Sequence, residues 1–376
     1  MAGALGRSAR GTVRRVGLVS AGVLSAFGAG VEPLVEGVFA GESRLRPPRR
    51  LAGDACPAGV LAELPWGLPC EPFSAARAAA QKALGAAPRE GTALVLASTK
   101  ADLSGVDAAA PAGAAPGLGA PWRLARALAA ALGLSGPVGA VSTACSSGLD
   151  ALALAGRWVV AGRAERVLVV GVDILTGFVV RGFDALLALD PDPCRPFDRS
   201  RRGLSLGEAA VALLLAADAP GPQLLGWGAS NDANHVTGPC REGRGLTLAA
   251  KRALARADRA PGDVDLVHVH GTGTPYGDAS EALGLARLFG DAGPPAWGTK
   301  AQTGHTLGAA GLLESLLAVE ALRRGEVPGN AGLAEPDVAP GLRLARGSVR
   351  LARARCALKV SAGFGGLNAA VLWEVP

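Results

Sequence analysis

The sequence predicts an α/β protein built from two similar halves. Three observations predict it. Short Val- and Leu-rich runs alternate with stretches of helical period along the whole chain, which is the signature of strands and helices wound together. The length of 376 residues exceeds one ordinary core of ~100–200 residues. Hydrophobic residues make up 49% of the chain against 19% charged, enough apolar material for two buried cores and too much for a disordered chain.

The elements follow in order. Val16–Ser25 reads as a strand that runs into a small-residue turn, and a helix over Glu32–Gly41 follows it. The Pro- and Arg-rich residues 42–75 read as an irregular excursion. A helix near Ala75–Leu84 and a strand at Thr92–Ser98 come next. Residues 101–121 are almost all Ala, Gly and Pro and read as a mobile or shortened loop. Helical period returns over Trp122–Leu134, a strand at Pro137–Ser142 ends at Thr143-Ala-Cys-Ser-Ser-Gly, and a helix over Gly148–Val160 follows. Arg166–Val172 and Ala209–Leu215 are continuous apolar runs of the kind that fill buried strands. After Asp218-Ala-Pro-Gly-Pro222 the rhythm repeats, with a strand at Gln223–Ala229, a helix at Leu246–Ala257, a strand at Val264–His270 and a helix at Ser280–Phe289. A helix over Ala309–Arg323 and closing strands near Ala357–Ser361 and Asn368–Val375 complete it.

Several classes drop out on composition. Cys56, Cys70, Cys145, Cys194, Cys240 and Cys356 form no CxxC, so neither a zinc ribbon nor a disulfide scaffold is indicated and free thiols are expected. Arg7, Arg10, Arg14 and Arg15 ahead of the apolar Val16–Phe27 superficially resemble a targeting peptide, but a strand feeding directly into a helix is the better reading. Every apolar run is interrupted before it reaches the ~20 residues of a membrane span, so a soluble, cytoplasmic protein is expected. The net charge of +6 points to an acidic partner; the scattered Arg lacks the aromatic interleaving of a nucleic-acid surface.

Scarce residues cluster, and the clusters carry the chemistry, since the chain has only 4 His. Cys145 lies between a strand and a helix, where N–H groups and the helix dipole favour a thiolate nucleophile. A small buried cysteine fits that position equally well when it is taken alone. His268 and His270 share one strand face by the period of two, with His270 at the strand end where α/β sites gather and His268 read as a core histidine. No nearby Cys or third His supports a metal site at this pair. Gly298-Thr-Lys-Ala-Gln-Thr-Gly-His-Thr-Leu-Gly308 puts Lys300 and His305 in a Gly-punctuated loop but lacks P-loop spacing. Gly271-Thr-Gly-Thr-Pro-Tyr-Gly277 does not satisfy GxGxxG, which leaves no nucleotide reading. Gly363-Phe-Gly-Gly366 joins two strands and lets backbone N–H groups approach a ligand.

Taken together and in this order, these motifs resemble the β-ketoacyl-(acyl carrier protein) synthases, condensing enzymes of the thiolase fold. Arg195–Glu208 and Ser230–His235 add to the match, which runs from about residue 13 to 375 and is weakest across 42–125. The resemblance implies duplicated βαβαβαββ halves forming a five-layered αβαβα sandwich. Residues 1–220 would carry the nucleophile, and 221–376 the histidines, the lysine and the Gly-Phe-Gly-Gly loop. It implies that Cys145 accepts an acyl chain and that His270 and His305 hydrogen-bond the thioester carbonyl of a malonyl unit as it loses CO₂. It further implies that the N–H groups of Cys145 and Phe364 form the oxyanion hole. Lys300 would support the histidines and Glu314 would be its acidic partner; without the resemblance Glu314 reads as a solvated helix charge. Thr272 and Thr274 would touch the pantetheine arm, while Ala362, Gly363 and Gly365 would border the substrate. His235 matches a motif but stays structural. No metal and no resident cofactor are implied, because phosphopantetheine arrives on the carrier protein.

Three departures bear on substrate. Residues 100–125 are short where the family has a long segment contributing to the dimer and the acyl pocket. Ala362 stands where elongating relatives have a gating Phe, and Leu367 replaces a Thr. The reading is therefore a decarboxylative condensing enzyme of fatty acid, type II polyketide or aryl polyene synthesis. Its implied partners are acyl carrier protein and a homodimeric or heterodimeric ketosynthase subunit. A non-catalytic subunit resembling a chain-length factor is the main alternative, against which the intact Cys145, His270, Lys300 and His305 count. A cysteine hydrolase is the third and accounts for neither Lys300 nor the histidine pair.

Overall fold

A computed structural model describes residues 14–51, 56–103, 119–339 and 341–376. The N-terminal Arg cluster through residue 13 and most of the 101–121 stretch lie outside the described residues.

Ten strands and six helices set the frame. The first half comprises β1 (Val16–Ser25), α1 (Pro72–Leu84), β2 (Thr92–Ala97), α2 (Pro121–Ala131), β3 (Val138–Val141), α3 (Ser147–Val160), β4 (Arg166–Asp173) and β5 (Ala209–Ala217). The second comprises β6 (Gln223–Asn231), α4 (Arg244–Arg256), β7 (Leu266–His268), α5 (Pro275–Phe289), β8 (Pro295–Trp297), α6 (Ala310–Arg324), β9 (Cys356–Gly363) and β10 (Leu367–Glu374). Both halves run β-α-β-α-β-α-β-β. Their strand orders, β3-β2-β4-β5-β1 and β8-β7-β9-β10-β6, superpose term by term. In each, two parallel pairings join the second, third and fourth strands, and two antiparallel pairings bring in the fifth strand and the first. The sheets touch where Gly17 of β1 pairs with Gln223 of β6.

Five layers result. Helices α1 and α2 cover the outer face of the first sheet, α4 and α5 that of the second, and α3 and α6 lie between them. Sequence explains the middle layer. Nearly every residue of α6 is buried, as a helix apolar all round must be, whereas α2 buries one face only. Gly148 and Gly311 let α3 and α6 meet closely, since a Cβ on Gly311 would stand 2.8 Å from the Leu149 nitrogen. The inner strand β2, Thr92–Ala97, is buried throughout and rich in Leu and Ala, and β4 is buried beyond its first residue, as parallel strands covered on both sides require.

Element ends differ from the sequence expectation by a few residues. The strand expected at Val264–His270 is only Leu266–His268 long, so His270 lies just beyond it. The helix Gly177–Ala185 and the strand β8 carry too little periodicity to be read.

Glycine contacts repeat across the duplication. A Cβ on Gly22 of β1 would stand 2.1 Å from the Ala79 carbonyl of α1, and one on Gly228 of β6 2.1 Å from the Ala249 carbonyl of α4. Gly228→Ala is therefore expected to push α4 off its sheet. The cost, about 1–3 kcal/mol, is read as a lowered midpoint in denaturant with little change in slope.

Candidate functional site

The turn that presents Cys145 is tight. Ala144 takes a left-handed φ of 50°, rare for a residue with a Cβ, and puts the cysteine between β3 and the start of α3. Asp150, in the first turn of that helix, accepts hydrogen bonds from Thr143 Oγ1 at 2.7 Å and Ser146 Oγ at 2.8 Å, while Ser147 Oγ accepts from the Thr143 nitrogen at 2.9 Å. Small polar residues thus lock the turn by side chain to backbone bonding. Gly363 closes over it, since a Cβ there would stand 3.1 Å from the Cys145 nitrogen.

Cys145 faces a cavity of about 450 Å³, which it lines together with His270, His305, Thr272, Thr274 and Phe364. Ala362 and Gly363 also border it. Gly365 does not, but its amide donates to the Val236 carbonyl at 2.6 Å, tying the β9–β10 turn to a neighbouring loop. His235 sits in that loop, exposed, with Nδ1 accepting from the Thr237 and Gly238 amides, which fits a structural part.

One expectation is corrected. Burial pushes the Cys145 thiol up to about 12, outweighing nearby Lys300, so the resting cysteine is a thiol and the helix start does not make it a thiolate.

The histidine rings lie 5.3 Å apart and nearly perpendicular. Burial, reinforced by Lys300, lowers His305 to about 3 and holds His270 well below the ordinary value, so both are neutral near pH 7. The Leu307 amide donates to His305 Nδ1 at 3.3 Å, which places the ring proton on Nε2, an atom with no protein partner among the described residues. A neutral N–H donor of this kind can stabilise an oxyanion without giving up its proton.

Behind the histidines lies a buried ion cluster. Lys300 Nζ donates to the His270 carbonyl and to Glu314 Oε1, each at 2.5 Å. Glu314, on the middle-layer helix α6, is 1% exposed and far from the solvated charge its sequence context implied. Burial pushes its carboxyl up, but Lys300 and Lys359 overcome that and hold it at about 2. Lys359 lies 2.6 Å from Glu314 Oε2. It escaped the sequence reading because it sits outside every motif, in a run that reads as an apolar strand.

Two more carboxylates were missed. Asp278 and Glu281 project from the first turns of α5 and accept backbone N–H bonds from the segment 270–273: Glu281 from His270 and Gly271, Asp278 from Thr272 and Gly273. Burial raises Asp278 to about 6 and Glu281 to about 7. Their signal was the three-residue helical spacing, facing a Gly-rich strand end. His268 is fully buried with Nδ1 3.2 Å from the Val269 carbonyl and Nε2 without a protein partner among the described residues, so the core-histidine reading is half satisfied.

A buried thiol, two buried neutral histidines and a loop of small residues, set between two βαβαβαββ halves, make up a thiolase-like fold. The model of the β-ketoacyl synthase N-terminal domain matches residues 72–219 and that of the C-terminal domain residues 223–334. The chain belongs to the β-ketoacyl synthase family. It is 37% identical over 254 residues to nodulation protein E of Rhizobium meliloti, a match covering 65% of this chain and 63% of that protein. It is 35% identical over 260 residues to 3-oxoacyl-[acyl-carrier-protein] synthase 2 of Vibrio harveyi, covering 64% of this chain and 63% of that protein. The match thus spans under two thirds of these curated relatives. Among solved structures, a ketosynthase (ApeO) in complex with its chain length factor (ApeC) from Xenorhabdus doucetiae superposes with TM-score 0.84 at 28% identity, over 96% of this chain and 98% of that one. The ishigamide ketosynthase/chain length factor superposes with TM-score 0.88 at 28% identity, over 97% and 100%. No helix of the described residues is long and apolar enough to cross a membrane.

Proposed function

We propose that the chain is a β-ketoacyl-(acyl carrier protein) synthase that performs decarboxylative Claisen condensation. The observation that carries this reading is one thiol, Cys145, facing a cavity it shares with two neutral, buried histidines.

In the first half-reaction the Cys145 sulfur attacks the thioester carbonyl of an acyl-carrier protein, the carbon–sulfur bond to the pantetheine breaks, and the cysteine proton leaves with the departing thiol. In the second, malonyl-carrier protein enters and its carboxylate departs as CO₂. The electron pair moves into an enolate whose oxygen is held by the ring N–H groups of His270 and His305. The enolate carbon then attacks the acyl-Cys145 carbonyl, whose oxyanion meets the N–H groups of Cys145 and Phe364, and collapse releases the thiolate and the β-ketoacyl product. Thr272 and Thr274, whose hydroxyls lie 2.9 Å apart at the cavity wall, fit the pantetheine arm. Lys300 and Glu314 set the charge behind the histidines. Ala362 and Gly363 complete the substrate side, Gly365 holds their turn from behind, and no metal takes part.

The same reading divides the chain at 220/221, places it in the cytoplasm in fatty acid, type II polyketide or aryl polyene synthesis, and gives it a dimeric partner, a copy of itself or a sister subunit. The relatives' names and the ketosynthase/chain length factor complexes support the pathway class and the subunit partner, and the two family domains, ending at 219 and starting at 223, support the division. The +6 charge suits an acidic carrier protein.

His270→Ala tests the division of labour. The variant is expected to take an acyl group onto Cys145, seen as an adduct by intact-protein mass spectrometry, yet to release CO₂ from malonyl-carrier protein on the order of 10²–10³-fold more slowly. Wild-type protein that forms no adduct contradicts the enzyme reading in favour of a non-catalytic subunit. Acylation followed by release of free acid, with no β-keto product, points to a hydrolase.

A further inference from the structure

The buried cluster holds one lysine more than its carboxylate needs. Lys300 already pairs with Glu314, yet Lys359, fully buried on β9, lies 2.6 Å from the second oxygen of the same carboxylate and donates to the Val269 carbonyl at 3.0 Å. The two lysines therefore grip consecutive carbonyls, Val269 and His270, from below. A buried lysine with only half a counter-ion is costly, and packing alone does not call for it.

Resting on the reading above, we infer that Lys359 is a positioning residue for the condensation, fixing the strand end that carries His270 and leaving a net positive charge behind the histidine pair. It acts through other groups and touches neither substrate nor cavity. The ionisable groups that act on it are Glu314 from α6, Lys300 from the turn before that helix and Glu281 from α5, and its charge opposes protonation of His268 and His270 on the β7 strand and its end. His305 is acted on by Lys359 in turn. Among these groups Glu314 is the firm anion, since burial lifts Glu281 toward neutrality. The excess charge opposes protonation of both rings and favours negative charge developing on an oxygen in front of them.

The test separates the inference from the activity it serves. The four histidines of wild-type protein, Lys359→Met and Lys359→Arg are labelled with ¹⁵N, assigned by single substitutions and titrated by NMR. His270 and His305 are expected to stay neutral to well below pH 6 in wild type. In Lys359→Met they should gain protons at a pH about one unit higher, a tenfold change in protonated fraction, and Lys359→Arg should restore the wild-type titration. In parallel, kcat for malonyl-carrier protein decarboxylation should fall roughly tenfold in Lys359→Met with KM little changed. Equal titration in wild type and Lys359→Met overturns the inference. So does a wild-type pair that titrates in the ordinary histidine range, whether or not the variants fold. Wild type that fails to acylate refutes the proposed activity and leaves the titration to decide the lysine's part.

Discussion

Cys145→Ser is expected to abolish condensation, lowering β-ketoacyl product formation by at least ~10³-fold, and to leave no acyl adduct after incubation with acyl-carrier protein. A hydroxyl substitutes for the thiol with almost no change of volume, so the fold should survive and the loss should belong to chemistry. The sulfur begins as a thiol held near the upper end of the range by burial. Serine, with a far weaker acid in the same dry pocket, has no comparable route to the nucleophilic anion. Product measured by chromatography and adduct measured by mass should vanish together. Cys70→Ser, at an exposed cysteine remote from the cavity, should keep both. A serine variant that still acylates and condenses would remove Cys145 from the centre of the mechanism.

Glu314→Gln is expected to be the most damaging change to stability. The carboxylate is buried and is the one anion that both buried lysines pair with, and taking it away leaves both without a counter-ion. Breaking such a cluster costs about 3–5 kcal/mol, which for a chain of this size lowers the melting temperature by roughly 4–6 °C. The pH dependence has a definite sign. Burial raises the Glu314 carboxyl, but Lys300 and Lys359 bring it down to about 2 from an ordinary 4.5. A depressed carboxyl stabilises the fold fully above its unfolded value, and that contribution drains away as pH falls from about 4.5 toward 2. Wild type should lose stability across that window and Glu314→Gln should lose less, as thermal unfolding at a series of pH values would show. Parallel curves would mean that the cluster's charge does not govern this part of the acid response.

What sequence made readable follows from range. Alternating Val-rich runs and helical stretches sit in local windows, so most elements were legible to within a few residues, and the apolar run Val16–Ser25 is strand β1. The residues that meet at the cavity were legible because each lies in a motif of unusual composition, the scarce His and Lys among small residues. Lys359 and Glu314 lie in apolar surroundings, and only the packing of α6 against β9 reveals that they share a charge. Asp278 and Glu281 look like ordinary helix acids until the strand end they hold is seen across from them. The change in Cys145 had the same origin. Local position at a helix start spoke for thiolate, and burial by the β9–β10 turn, remote in sequence, decided otherwise.

The two halves share one strand order, yet their contributions at the cavity are unlike. The first sheet's third helix begins at the sulfur, while the equivalent helix of the second sheet carries Glu314 and follows His305. A repeated scaffold thus carries the thiol on one side of the cavity and the two histidines on the other. Neither repeat alone holds both, so substitutions in the two repeats are free to diverge only as far as the shared cavity keeps its two walls in register.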